Sequence, residues 1–280
     1  MIKQESFKNG QKTLYIVATP IGNLDEMTPR AIEILKEVDL IAAEDTRHAG
    51  KLLHHFGIKT HTIAHHAYNE NDGAQHIVNL FDTHESIALI SDAGYPLISD
   101  PGQPLVQAVI AQGYNVVPIS GSSAFLNALV VSGLVAQPFA FMGFMEAKES
   151  ALIKQLENYK DLPMTTIYYL SVHKLQKTLD IIYNVLGNRE ISLARELTKR
   201  HEEIIRGSVK EVIENIDTIK GEFVICIDRD RTEKTIDYDA LNQQINKRIE
   251  SGDSPSRAIS QVAKEAGVSK NSVYDYYHDN

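Results

Sequence analysis

From Leu14 onward, short continuous apolar runs alternate with segments whose apolar positions recur every three to four residues. The first kind reads as buried strand and the second as amphipathic helix. Residues 14–18, 40–43, 87–90 and 115–119 form clear strand runs, and 62–64 form a weaker one. Between them, Thr28 and Pro29 predict a helix start, threonine as cap and proline in the first turn. Ala31, Ile32, Ile34, Leu35 and Val38 give that helix its apolar face. A second helix stops at Gly57, a third covers 75–81, and a fourth runs from Pro104 to Gly113. Strand, crossover helix and strand in this repetition predict a mainly parallel sheet covered on both faces.

After Gln137 and Pro138 the rhythm resumes with different spacing. Strands are predicted at 139–142, 165–169, 191–194, 203–206 and 222–227, and Ser208 with Glu211 makes a capping box. The later strands lie close enough in sequence for antiparallel neighbours, so a mixed sheet is expected. The organisation expected is an N-terminal α/β lobe (13–136), a second α/β lobe (137–228), a charged linker (229–239) and a small helical module (240–280). In that module Ala258, Val262, Ala263, Ala266, Gly267, Val268, Val273 and Tyr276 have helix-turn-helix spacing, with Ser269 placed to cap the second helix. Such spacing specifies a shape that either a nucleic-acid contact or a packing module would use.

Composition narrows the class. Hydrophobic residues make up 43% and charged residues 23% of the 280, as in soluble globular proteins of two domains. Residues 124–145 are apolar overall, but Asn127, Ser132, Gly133, Gln137, Pro138 and Gly143 interrupt them, which predicts helix, turn and strand and no membrane span. One cysteine, Cys226 in an apolar run, and a polar start without an apolar signal core point to the cytoplasm. A net charge of −9 excludes a protein that coats nucleic acid through a bulk basic field, while a local basic rim stays possible within a Debye length.

Three loops at the carboxyl ends of predicted strands, where open α/β sheets bind ligands, carry the candidate chemistry. They are Thr19-Pro20-Ile21-Gly22-Asn23-Leu24, then Glu44-Asp45-Thr46-Arg47, then the twelve residues from Ser91 to Gly102, S-D-A-G-Y-P-L-I-S-D-P-G. None is a dinucleotide-binding glycine turn, a phosphate-binding P-loop or a nucleophile elbow. His54, His55, His61, His65 and His66 lack the helical spacing and cysteine companions of a zinc site, so no metal is expected.

In this order and spacing the three loops resemble the tetrapyrrole-methylase superfamily, and within it the cytidine 2′-O-methyltransferases of small-subunit ribosomal RNA. Ala194-Arg195-Glu196-Leu197-Thr198-Lys199, His201-Glu202-Glu203 and Gly221-Glu222-Phe223-Val224 extend the likeness, which covers roughly residues 14–227. The resemblance implies a two-lobe tetrapyrrole-methylase-like α/β fold, with S-adenosyl-L-methionine held between the lobes. It implies a cofactor lying against Pro20, Asp92, Ala93, Gly94 and Ile98, flanked by Ser122, Ser123 and Ala124, and closed over by Leu170, Ala194 and Arg195. It further implies 16S rRNA of the small ribosomal subunit, in the decoding centre, as substrate and a homodimer as the assembly; neither a membrane nor DNA is an expected partner. A ribose hydroxyl is a poor acid, so Glu44 or Asp45 is a candidate base and Arg47 a candidate electrostatic partner. The same acidic pair would also serve as a helix cap or salt bridge. Three segments depart from the resemblance: Met145-Glu146-Ala147-Lys148-Glu149 has one lysine where a basic stretch is usual, Leu170-Ser171-Val172-His173-Lys174 replaces E-S-P-H-R, and Ser120-Gly121-Ser122 replaces P-G-P. These departures keep open a small-molecule acceptor or a non-catalytic ribosome-binding relative.

Overall fold

The computed structural model describes residues 3–6, 8–65, 70–171, 175–216, 220–230 and 237–279. They form two compact units, Met1–Asp230 and Arg231–Asn280.

The first sheet contains β1 (Thr13–Val17), β2 (Leu40–Ala43), β3 (Thr62–Ala64), β4 (Ser86–Ile90) and β5 (Asn115–Ile119), in the order β3-β2-β4-β1-β5. All four pairings are parallel, as the alternation of strand and helix runs predicts. Successive strand residues point to opposite faces, and both faces are buried. Val17, Ile41, Ala43 and Ile90 pack on one side with α1 (Pro29–Glu37) and α2 (Thr46–His55), through Leu35, Ala49 and Leu53. Leu14, Ile16, Leu40 and Leu89 pack on the other with α3 (Glu70–Leu80) and α4 (Gln103–Ala111), through Ile77 and Leu105. The Thr28 hydroxyl accepts from the Ala31 N–H at 3.2 Å and Pro29 opens α1, so the sequence signal for this start has its physical counterpart. Helix α3 begins five residues before the periodic stretch that announces it.

The second sheet holds β6 (Phe139–Phe144), β7 (Thr165–Leu170), β8 (Glu190–Arg195), β9 (Glu203–Ser208) and β10 (Phe223–Ile227), in the order β6-β7-β10-β8-β9. Only β6 and β7 are parallel; β10 inserts antiparallel between β7 and β8, and β9 pairs antiparallel with β8. One face is covered by α6 (Glu149–Tyr159), α7 (Leu175–Leu186) and α8 (Val209–Asn215). The other is covered by α5 (Ala124–Val131), whose Ala128 and Leu129 meet Ile167, Ala194, Val224 and Cys226. Packing therefore changes from the first sheet to the second between β5 and α5, ahead of the boundary expected near Gln137.

The second unit is a three-helix module of α9 (Tyr238–Glu250), α10 (Pro255–Ala266) and α11 (Lys270–Asp279) around Leu241, Ile245, Val262 and Val273. Gly267 ends α10 in a left-handed conformation at φ 67°, which gives the turn its direction. Asp237 caps α9 through the Ala240 N–H at 2.9 Å, so the helix begins inside the segment expected as linker; residues 231–236 of that segment lie outside the described residues. Among the described residues no helix is long and apolar enough to cross a membrane.

Candidate active site

Parallel pairing alone brings the three signature loops together. Because β4 lies between β2 and β1, the loops leaving their carboxyl ends are neighbours. The chain after β1 and the chain after β4 are tied by reciprocal hydrogen bonds, Thr19 N–H to Gly94 O at 2.8 Å and Gly94 N–H to Thr19 O at 3.0 Å. The Thr19 hydroxyl donates to Ser91 O at 3.2 Å, and the Glu44 N–H reaches Ile90 O at 3.3 Å. Beside β1, the loop after β5 closes in: a Cβ on Gly121 would lie 2.8 Å from the Ala18 Cβ, and the Gly121 N–H donates to the Tyr95 hydroxyl at 3.2 Å.

These loops floor a cavity of about 310 Å³. The first lobe contributes Ile21, Glu44, Asp92, Ala93, Gly94 and Tyr95, then Ile98, Ser99, Asp100, Ser123 and Ala124. The second lobe supplies Phe144, Tyr169, Leu170, Ala194, Leu197, Glu222 and Phe223. The third loop is bent to do this: besides Gly94 and Gly102, the non-glycine residues Leu97 (φ 73°) and Ser99 (φ 68°) are left-handed. Such backbone costs about 1–3 kcal/mol per residue and concentrates at functional sites. Lobe meets lobe where Gly22 faces Lys199, since a Cβ at Gly22 would sit 2.5 Å from the Lys199 Cγ. Lys199 Nζ is itself held by Glu222 at 2.8 Å and Glu196 at 3.1 Å.

Of the expected cofactor residues, Asp92, Ala93, Gly94, Ile98, Ser123, Ala124, Leu170 and Ala194 line this cavity. Pro20, Ser122 and Arg195 do not. Pro20 lines a neighbouring hollow, and the Ser122 hydroxyl donates to Glu26 at 2.9 Å. Arg195 points the opposite way from Ala194, as strand alternation requires, and bonds Lys220 O at 2.7 Å and Glu203 at 3.2 Å. The candidate catalytic trio also divides. Glu44 lines the cavity. Asp45 caps α2 through the Arg47 N–H at 2.8 Å and accepts the Arg47 guanidinium at 3.1 and 2.7 Å, which holds its carboxyl far below the usual range. Val172, His173 and Lys174 of the departing segment lie outside the described residues, as does His66. Among the described residues no three His, Cys, Asp or Glu side chains converge as a metal site.

Asp100 and Tyr169 went unassigned in the sequence although the Asp100 motif is part of the third loop. Burial, and next the nearby Glu44 carboxylate, push the Asp100 carboxyl up to about 6, against the hydrogen bond from Ser91. Burial also raises the Tyr169 phenol, with Asp100 adding to it. Phe144 stands at the mouth, 60% exposed, with its ring 5.2 Å from that of Tyr169. The walls are thus apolar and aromatic, the polar groups few, and the charges acidic. That combination suits a ligand with a flat apolar part and a cationic part, in a volume at the lower end of the roughly 300–1,000 Å³ of small-ligand sites.

The sequence profile of the Tetrapyrrole (Corrin/Porphyrin) Methylases matches residues 13–213. The chain is 40% identical to the Ribosomal RNA small subunit methyltransferase I of Bacillus subtilis (strain 168) over 289 aligned positions, covering 99% of each. It is 41% identical to the protein of the same name from Halalkalibacterium halodurans, again over 99% of both. Among solved structures it resembles the methyltransferase CobJ, with a TM-score of 0.59 and 18% identity, over 80% of this chain and 97% of that one. At that identity the likeness concerns the fold.

Proposed function

The chain belongs to the tetrapyrrole methylase family, and from that premise we propose that it transfers the methyl group of S-adenosyl-L-methionine to the ribose 2′-hydroxyl of a cytidine in 16S rRNA, in the decoding centre of the small ribosomal subunit. Full-length identity near 40% to relatives named for small-subunit rRNA methylation supports the acceptor. The observation that carries the cofactor is the two-lobed cavity itself, with Asp92–Gly94 and Ser123–Ala124 on one side and Leu170, Ala194 and Leu197 on the other. It fits the group. Ile98, Leu170 and Leu197 offer apolar surface to an adenosine, Gly94 at φ 79° lets backbone approach closely, and Asp92, Glu44 and Asp100 suit cationic centres.

When bound, the sulfonium supplies an already activated methyl group. The chain's own contribution is to hold the hydroxyl in line with that methyl, to exclude water, and to receive a proton. Glu44 and Asp100 are the carboxyl groups of the cavity placed for the last task; Asp45 is committed to α2 and Arg47. Leu126, Val130 and Val131 on α5, with Val135 and Phe139 following, are exposed large apolar side chains that a homodimer would cover. We place the activity in the cytoplasm, where ribosomal subunits are matured.

Incubation with unmethylated small subunits and methyl-labelled S-adenosyl-L-methionine tests the reading, with the label mapped by nuclease digestion and mass spectrometry. Label on one cytidine ribose is the expected result. Stoichiometric cofactor binding without label on RNA would refute the acceptor.

A further inference from the structure

Beside the cavity just described lies a second hollow of about 220 Å³ that the methyl-transfer reading leaves unused. Asp92 is shared by the two, and the hollow is completed by Thr19, Pro20 and Gly22 on one side and by His48 and Lys51 of α2 on the other. Helix α2 reads T-R-H-A-G-K-L-L-H-H and carries no acidic residue. Its Ala49 and Leu53 are buried against the first sheet, which leaves Arg47, His48, Lys51, His54 and His55 exposed. At 1.5 Å of rise per residue, Arg47, Lys51 and His55 mark out a line of about 12 Å.

On the opposite lip of the cleft the cations are paired. There Lys199 is held by Glu222 and Glu196, and Arg195 by Glu203. A chain with net charge −9 repels a polyanion at long range, so a polyanion can be held only where cations are concentrated within a Debye length of about 8–10 Å. Arg47 and His48 are partly committed, to Asp45 at 2.7 Å and Asp92 at 3.4 Å. Lys51 forms no ion pair among the described residues and sits on the rim of the hollow.

We propose that the exposed face of α2 and the hollow at its foot are the seat of the RNA strand's phosphodiester backbone next to the target ribose, with Lys51 as the main phosphate contact. This rests on the RNA-methylation reading and adds to it a direction: the strand enters over α2 and leaves the second-lobe lip free. A nucleotide flanking the target lies in the hollow, and Asp92, through its contact with His48, joins that surface to the methyl-transfer cavity.

The test compares the full-length wild type with Lys51→Ala, Lys51→Glu and, as a control on the outer helix of the other lobe, Lys154→Glu. Each is assayed for S-adenosyl-L-methionine binding by calorimetry, and for binding to unmethylated small ribosomal subunits across a potassium chloride series. Because Lys51 is exposed, these variants fold as the wild type does, and unchanged cofactor affinity verifies it. Loss of one phosphate contact to a single strand makes the slope of log affinity against log salt shallower by about 0.7. Lys51→Ala is expected to show that change, and Lys51→Glu to lose roughly tenfold in affinity near 150 mM salt, while Lys154→Glu matches the wild type. Wild-type affinity and slope in both Lys51 variants, in a protein that does methylate the subunit, would overturn the α2 seat and leave the methylation reading intact. An equal loss in Lys154→Glu would overturn it too, since the effect would then be one of overall charge. A wild type that neither binds nor methylates the subunit removes both.

Discussion

Asp100→Asn is the most informative single change in the cleft. In the folded chain the carboxyl titrates at about 6 and its ordinary value is 3.8. Between those two pH values the native state holds a proton that the unfolded chain has released, so stability falls as pH rises through the window and is flat above it. Two pH units at roughly 1.4 kcal/mol each come to about 3 kcal/mol. Asp100 is half-buried, and solvent screening reduces this to roughly 1.5 kcal/mol. Asparagine keeps the shape and has nothing to ionise. The variant is therefore expected to match the wild type in urea denaturation at pH 4 and to exceed it by roughly 1.5 kcal/mol at pH 8. Identical stability profiles at both values would refute the assignment of a strained, desolvated carboxylate.

The same substitution separates the two candidate proton acceptors. If Asp100 accepts the hydroxyl proton, single-turnover methyl transfer rises through about pH 6 in the wild type and falls about 10²–10⁴-fold in Asp100→Asn, with cofactor binding retained. A comparable fall in Glu44→Gln alone, with Asp100→Asn near wild-type rate, would assign the role to Glu44.

Three further changes test the frame around the cleft. Gly121→Ala would drive a methyl to 2.8 Å from the Ala18 Cβ; an expected loss of about 1–3 kcal/mol in thermal denaturation should be accompanied by weaker cofactor binding, because Ser123 and Ala124 follow in the wall. Ser208→Ala removes the acceptor of the Glu211 N–H and one half of a complete capping box, which should cost about 1 kcal/mol in urea denaturation with no change in cofactor affinity. Cys226 is fully buried and burial pushes its thiol up to about 12, so native protein at pH 8 should resist iodoacetamide by mass spectrometry and react only after unfolding.

The sheet elements were readable because their signals are local. The continuous run Leu40–Ala43 is buried at every position and Asn115–Ile119 at every other one, and the structure keeps both bounds. Thr28-Pro29 and Ser208 with Glu211 announce helix starts through hydrogen bonds that three residues suffice to make. The allegiance of α5 was not readable. Its sequence A-F-L-N-A-L-V-V is apolar on nearly every side, so no periodic stripe indicates which sheet it covers. Asp100 was hidden for a different reason. It is aimed into the cavity by left-handed Leu97 and Ser99, and residue type gives no hint of positive φ at a leucine.

What separates Glu44 from Asp45, and Ala194 from Arg195, is a one-residue difference in direction. Strand-end reasoning locates the pair and leaves open which member faces the ligand, because neighbours on an extended chain point to opposite sides. The choice at the first pair follows from α2: its start requires a cap, Asp45 supplies it, and Glu44 is left for the cavity. At the second pair Arg195 is held by Lys220 O and Glu203, which leaves Ala194 for the cavity, and the adjoining wall comes from β10. Its antiparallel insertion sets Phe223 opposite both Leu170 and Arg195, so the beginning of one strand meets the ends of two others, and Glu222 and Phe223 join the wall. Parallel order in the first sheet collects loops that all follow strands, which sequence order reveals. The second wall depends on a strand running the other way, and its residues become a site only once that direction is known.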